Sequence, residues 1–140
     1  MTAKTAKEAK AYLMQYRQAA ARLHAISDHI AELRAVCEQL RTEDGHRIAL
    51  DKAVAELVDA SEKAAAEITQ LCRVECEVSA VIDRVPEPYR TLLYERYING
   101  KTFKLISVDM HYSWRQIVRL HGQALQYAQH VIECHIPPVL

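Results

Sequence analysis

Glycine and proline are scarce in this 140-residue chain, which holds three Gly and four Pro. Tight turns draw on both, so few breaks interrupt the chain. There is one Phe, and the β-branched residues are scattered rather than alternating, which argues against a sheet. No apolar run reaches the roughly 18 residues of a membrane-spanning helix. The start, MTAKTAKEAKAY, lacks the apolar core of a secretion signal and reads as the opening of a helix. Lys and Arg number 18 and Asp and Glu 18, so the whole chain has no bulk attraction for a polyanion. No glycine-rich phosphate loop, nucleophile elbow or HExxH pair occurs, and the chain reads as a non-enzyme without a cofactor. Four cysteines without a secretion signal (Cys37, Cys72, Cys76, Cys134) are expected to be buried thiols in a reducing cytoplasm.

What is abundant is Ala, Leu, Glu, Gln, Lys and Arg, all good helix formers, so the predicted fold is all-α. From Ala6 to about Leu40 the apolar residues keep a seven-residue beat. One slot holds Ala9, Tyr16, Leu23, Ile30 and Cys37; the other holds Tyr12, Ala19, Ile26, Leu33 and Leu40. So narrow a stripe asks for a partner helix. TEDGH (42–46) breaks the beat with turn-forming residues. A second helix then runs to about Val85, with a predicted seam of Leu50, Val54, Leu57, Ala64, Ile68, Leu71, Val78, Ile82 and Val85, interrupted at Ser61 and Glu75. Val58, Ala65, Cys72, Val74 and Val81 widen its apolar face. A short connection between two such helices predicts an antiparallel hairpin, a coiled coil over residues 1–85 with arms about 50 Å long. The hairpin is either closed on itself or joined through its wide second arm to another copy, and a homodimer through the hairpin is expected.

Pro86-Glu87-Pro88 ends the second helix, and the predicted domain boundary lies there. Residues 86–140 carry 6 basic and 4 acidic side chains, a net of +2, against 12 and 14, a net of −2, in residues 1–85. A helix from about Glu87 to Ile98 would turn Leu92, Leu93, Tyr97 and Ile98 inward and stop at Asn99-Gly100. Thr102 can cap a short helix, Phe103 to Met110, with Phe103, Ile106 and Met110 at core spacing. His111-Tyr112 is the predicted turn. Ser113 can cap a last helix from Trp114 to about Cys134, before an extended tail, IPPVL. A supporting helix, a short helix, a tight turn and a capped longer helix make the helix-turn-helix layout, whose second helix enters the major groove. Ile117, Val118, Leu120, Ala124 and Leu125 are expected to hold that helix in place. Trp114, Arg115, Gln116 and Arg119 stand at its start, where Arg can pair with guanine and Gln with adenine. Lys101, Thr102 and Lys104 open the preceding helix, where phosphate would be favoured. The candidate DNA-binding set is therefore Lys101, Thr102, Lys104, Ser113, Trp114, Arg115, Gln116 and Arg119; the bland reading of the same residues is a solvated basic face.

The stretch VPEPYRTLLYERYINGKTFKLISVDMHYSWRQIVRLHGQAL resembles region 4 of sigma-70-type transcription factors. The matching pieces are Pro86, the run Arg96-Tyr97-Ile98-Asn99-Gly100, Ile106, Tyr112-Ser113, and Arg119-Leu120-His121 with Ala124-Leu125. As a whole the chain is similar to a group of small phage and prophage proteins in which a long helical hairpin precedes a region-4-like domain. The resemblance implies a phage-type transcriptional regulator in the bacterial cytoplasm, with double-stranded DNA as partner and host RNA polymerase as a further one. Val108-Asp109-Met110 departs from the small-residue tendency of the short helix, and the sigma elements that melt promoters are absent, so a complete sigma factor is not expected. The alternatives are a protein–protein adaptor or inhibitor acting through the hairpin, and a packaging-type oligomer that binds DNA.

Two other patterns stand out. Cys72/Cys76 and His130/Cys134 are i,i+4 pairs that could form a zinc site only if their helices met; no metal is the expectation. Glu75, Glu77 and Asp83 read as a solvated acidic face rather than a catalytic cluster.

Overall fold

The computed structural model describes residues 3–43 and 45–135; Asp44 in the turn and the tail expected to be extended, residues 136–140, lie outside them. Every regular element among the described residues is helical. Helix α1 runs Ala3–Thr42 and α2 Arg47–Asp83. Then come α3 (Tyr89–Leu93), which continues as a wider π turn over Tyr94–Ile98, α4 (Phe103–Met110) and α5 (Trp114–His135). No helix among the described residues is long and apolar enough to cross a membrane.

The chain packs as two compact units, residues 1–18 with 73–140 and residues 19–72. The division therefore falls inside the two long helices and not at Pro86. The reason is visible in the first unit's core, where Ala9 and Leu13 of α1 and Val74, Val78, Val81, Ile82 and Val85 of α2 cluster with Leu93, Tyr97, Ala124, Leu125, Ala128 and Val131. Leu13 lies outside the α1 seam read from the heptads, yet it is fully buried.

The second unit, residues 19–72, holds the two arms of the hairpin. In α1 the predicted seam faces inward: Ala19, Leu33 and Cys37 are buried and Leu23, Ile26, Ile30 and Leu40 half-buried. In α2 one predicted slot is right, with Leu50, Leu57, Ala64 and Leu71 half-buried. The other is displaced by one residue. Ala53 and Ala60 are buried and Glu67 half-buried, while Val54, Ser61 and Ile68 are exposed. Counting the larger apolar side chains favours Val54 and Ile68, but small residues let two helices approach closely, and the packing uses the alanines. Ser61 thus never interrupts the seam; its hydroxyl donates to the Leu57 carbonyl at 2.8 Å on the outer surface. Arg22 and Glu67 pair across the arms at 3.4 Å, an exposed contact worth little.

In the first unit α3 starts two residues later than the sequence suggests. The Glu87 carboxylate accepts from the Thr91 hydroxyl at 2.6 Å and from Arg90 Nε at 2.9 Å, and these bonds hold it below the usual carboxylate range. After Leu93 the backbone widens, with Asn99 N–H donating to the Tyr94 carbonyl at 3.0 Å. Such one-turn widenings change which side chains face inward. Leu92, Leu93 and Tyr97 are buried and Ile98 is half-buried, as the spacing predicts. Gly100 ends the segment at φ +71°. A Cβ there would lie 2.5 Å from the Arg17 guanidinium carbon, so α1 seats a cation against a position only glycine fills without strain.

Of the four cysteines only Cys37 is buried; Cys72, Cys76 and Cys134 are exposed, contrary to the expectation of buried thiols. For Cys72 this follows from the same one-residue displacement; Cys76 stands outside the predicted α2 seam and its widened face.

Candidate nucleic-acid interface

Helix α4 begins and ends as its sequence dictates. The Thr102 hydroxyl accepts the Leu105 N–H at 3.2 Å, an N-cap. At the other end His111 adopts the left-handed conformation, φ 59°, with its N–H on the Val108 carbonyl at 3.3 Å and the Tyr112 N–H on the Ser107 carbonyl at 3.0 Å. That pair of bonds is a Schellman ending, which glycine usually occupies. Two residues later Ser113 and Gln116 form a capping box: Gln116 N–H donates to Ser113 Oγ at 3.1 Å and Ser113 N–H to Gln116 Oε1 at 2.9 Å. The chain therefore passes from one helix to the next in three residues, with both ends satisfied.

Two faces of α5 follow. Ile117 is fully buried in a small cluster with Leu92 and Ile106, against which Phe103, Met110 and Leu120 pack. Ala124, Leu125, Ala128 and Val131 continue that face into the larger core. Around the rest of the helix Trp114 is 61% exposed, and Arg115, Gln116 and Arg119 are exposed with it. Val118, expected to help hold the helix, is instead 42% exposed among them. At 100° per residue Val118 lies nearer Arg115 and Trp114 than Ile117, and Ile117 and Leu120 already fill the inward space. Gly122 is exposed too, and a Cβ there would meet nothing within 4 Å, so packing within the chain does not require glycine.

The eight predicted site residues divide by what they already do. Ser113 and Thr102 are used as caps. Gln116 gives its amide oxygen to the capping box, so reading a base through that oxygen would cost that bond. Lys101 is not a free phosphate cation: its ammonium pairs with the Glu95 carboxylate and, at 2.9 Å, with Asp109. Its bonds to Glu95 and then Asp109 hold it above the usual lysine range. Lys101 thus braces α4 against the π turn, a role the sequence spacing hid because Glu95 and Asp109 lie six and eight residues away. Lys104, Trp114, Arg115 and Arg119 remain on the surface.

Behind this surface lies an aromatic cluster that sequence reasoning missed. The Tyr97 hydroxyl and His121 Nε2 share a hydrogen bond at 2.7 Å. The Phe103 ring meets the His121 ring edge-on, 4.8 Å between centroids, and the Arg96 guanidinium sits 4.3 Å over Phe103. Burial, with smaller contributions from the Arg96 and Lys10 charges, pulls His121 down to about 4, and burial pushes Tyr97 up to about 12. His121 is therefore neutral at physiological pH and serves packing. Because the unfolded chain takes up this proton at a higher pH than the folded one, stability is expected to fall as pH drops from 6.5 toward 4. The loss reaches up to about 3 kcal/mol. Urea midpoints at pH 7 and pH 4.5 measure it, and His121→Gln should flatten the difference; an unchanged pH dependence would mean His121 titrates normally.

Elsewhere on the first unit, Tyr89 stacks on Tyr127 at 4.8 Å and donates to Gln123 Oε1 at 3.2 Å, tying α3 to α5. Cys134 Sγ lies 3.7 Å from His130 Nε2, but among the described residues no three His, Cys, Asp or Glu side chains gather as a metal site. The chain matches no protein-family model, no curated protein and no solved structure.

Proposed function

We propose that the chain is a DNA-binding transcriptional regulator in which α4, the His111 turn and α5 act as a helix-turn-helix, with the first turns of α5 in the major groove. The observation that carries this reading is the shared outward face of Trp114, Arg115, Val118 and Arg119 at the start of a helix whose cap is complete and whose other face is fully packed. Two guanidinium groups can each grip a guanine or a phosphate, and Val118 can touch a thymine methyl. An exposed glycine in mid-helix sacrifices about 1 kcal/mol relative to alanine, and Gly122 continues this face, leaving the backbone open to close approach. The likeness of residues 86–125 to sigma region 4 supports the same reading and adds a phage or prophage origin, a bacterial cytoplasmic setting and host RNA polymerase as a further partner.

The test is the salt dependence of duplex binding. A fluorescein-labelled random-sequence duplex is titrated across a range of salt by fluorescence anisotropy. With Lys104, Arg115 and Arg119 as phosphate-reaching cations, the logarithm of the binding constant should fall against the logarithm of salt with a slope of about −3. No binding at low salt, or a flat slope, sinks the proposal.

A second reading has its own observation. Leu105 and Val108 of α4 are exposed, at 47% and 65%, and a groove-reading α5 does not use them. They favour an adaptor that binds a host protein through the same domain. Pull-down from bacterial lysate with and without nuclease separates the two: a partner retained after nuclease, with no duplex binding by the purified chain, favours the adaptor.

A further inference from the structure

The exposed thiol of Cys134 has a close neighbour. On α5 it stands one turn after His130, and both side chains are exposed. Its Sγ lies 3.7 Å from His130 Nε2 and 3.9 Å from Nδ1. A metal ion sets much the same separation between two of its ligands. A zinc–sulfur bond of about 2.3 Å and a zinc–nitrogen bond of about 2.1 Å, opened to the tetrahedral angle, hold sulfur and nitrogen about 3.6 Å apart. Residues at i and i+4 share a helix face, so the backbone already stacks the two ligands. The surroundings suit a cation. No Lys or Arg occurs between Leu120 and His135. Cys134 lies in the last turn of α5, where the carbonyl end of a helix favours positive charge. His130 is also one wall of an open hollow of about 390 Å³, lined by Tyr89, Gln123, Gln126 and Tyr127 as well, which leaves room for coordinated water.

We infer that His130 and Cys134 form a two-ligand site for a divalent ion of the zinc class, with water in the remaining positions. A thiolate beside an imidazole selects such ions over magnesium and calcium, which prefer oxygen ligands. The site needs neither Cys72 nor Cys76, so α2 and α5 need not meet. Without an ion, thiol and ring make a weak hydrogen-bonded pair. On binding, the Cys134 thiol releases its proton to solvent, sulfur and one ring nitrogen each give a lone pair to the ion, and water leaves the ion in exchange. Both side chains are exposed, so the ring can turn a lone pair onto the ion without disturbing the core. Two protein ligands make an exchangeable site rather than a structural one, and the fold does not depend on it. The site uses none of the residues assigned to DNA and stands or falls separately from that proposal.

The test uses the full chain carrying Cys72→Ser and Cys76→Ser, which leaves Cys134 as the one exposed thiol of the four. Cobalt(II) is the probe, because its absorption spectrum reports the ligands. One ion per chain should bind, with a thiolate-to-cobalt charge-transfer band in the near ultraviolet, and added zinc(II) should abolish the band by displacement. Cys134→Ser should remove the band. His130→Ala should weaken cobalt binding by about ten-fold or more, since loss of even an outer-shell partner of a metal ligand costs that much. Circular dichroism of both variants should match the parent, because neither side chain is buried. Three results overturn the inference: cobalt binding without the charge-transfer band, a band that survives Cys134→Ser, and His130→Ala that binds as tightly as the parent. The first of these marks adventitious binding at the other histidines, which carry no thiolate.

Discussion

A chain trimmed to residues 86–140 is expected not to fold, although it contains α3, the π turn, α4 and α5 entire. Seven of the thirteen buried residues in its main core come from outside that range: Ala9, Leu13, Val74, Val78, Val81, Ile82 and Val85. Burial of a Val, Leu or Ile is worth roughly 1.5–3 kcal/mol, so removing six of these and an Ala forfeits on the order of 10 kcal/mol. Whole domains are stable by only about 5–15 kcal/mol. The cut also removes Asp83, which accepts the Tyr94 hydroxyl at 2.5 Å, and Arg17, which lies against Gly100. Far-ultraviolet circular dichroism and amide proton dispersion would measure the outcome. A cooperative melt from the fragment would show that the domain boundary does lie at Pro86 and that the hairpin's contribution to this core is dispensable.

That prediction marks where sequence reasoning succeeds and where it stops. The local signals were legible because each acts over three or four residues. Thr102 and Ser113 cap the helices they precede, and Phe103–Met110 is bounded as read. The α1 seam is legible too, because among the larger apolar side chains of residues 19–40 only Val36 stands beside it. In α2 it was not: Val54 and Ile68 are more apolar than Ala53 and Ala60, and only the partner helix decides which line it packs against. The role of Lys101 was hidden for a related reason, since its carboxylate partners are adjacent only after the chain has turned through the π segment and α4. The boundary at Pro86 was a sound local inference, because proline does end α2, but ending a helix is not the same as ending a core.

The second large effect concerns Arg115 and Arg119. Replacing both with alanine should weaken duplex binding about 100-fold, because each arginine gripping a base or phosphate in the groove is worth roughly 1–3 kcal/mol. The fold should not notice. Both side chains are exposed, neither belongs to a core cluster, and alanine is the better helix former. Ile117→Ala gives the contrasting pattern: a cavity among Leu92, Ile106 and Ile117 costs about 2–5 kcal/mol of stability, and binding falls with the folded fraction. Gln116→Ala stands between them. It removes half of the capping box and lowers stability by about 1 kcal/mol, with a smaller effect on binding than either arginine.

The most direct test of the central claim is one affinity compared between two proteins. A duplex enriched from a random pool by the intact chain is titrated with that chain and with Arg115→Ala/Arg119→Ala, at one salt concentration, alongside thermal melts of both. The expected result is a loss of about two orders of magnitude in affinity with coincident melting curves. Equal affinities for the two proteins, or a pool from which the intact chain enriches no sequence, would contradict the reading of α5 as the element that meets DNA.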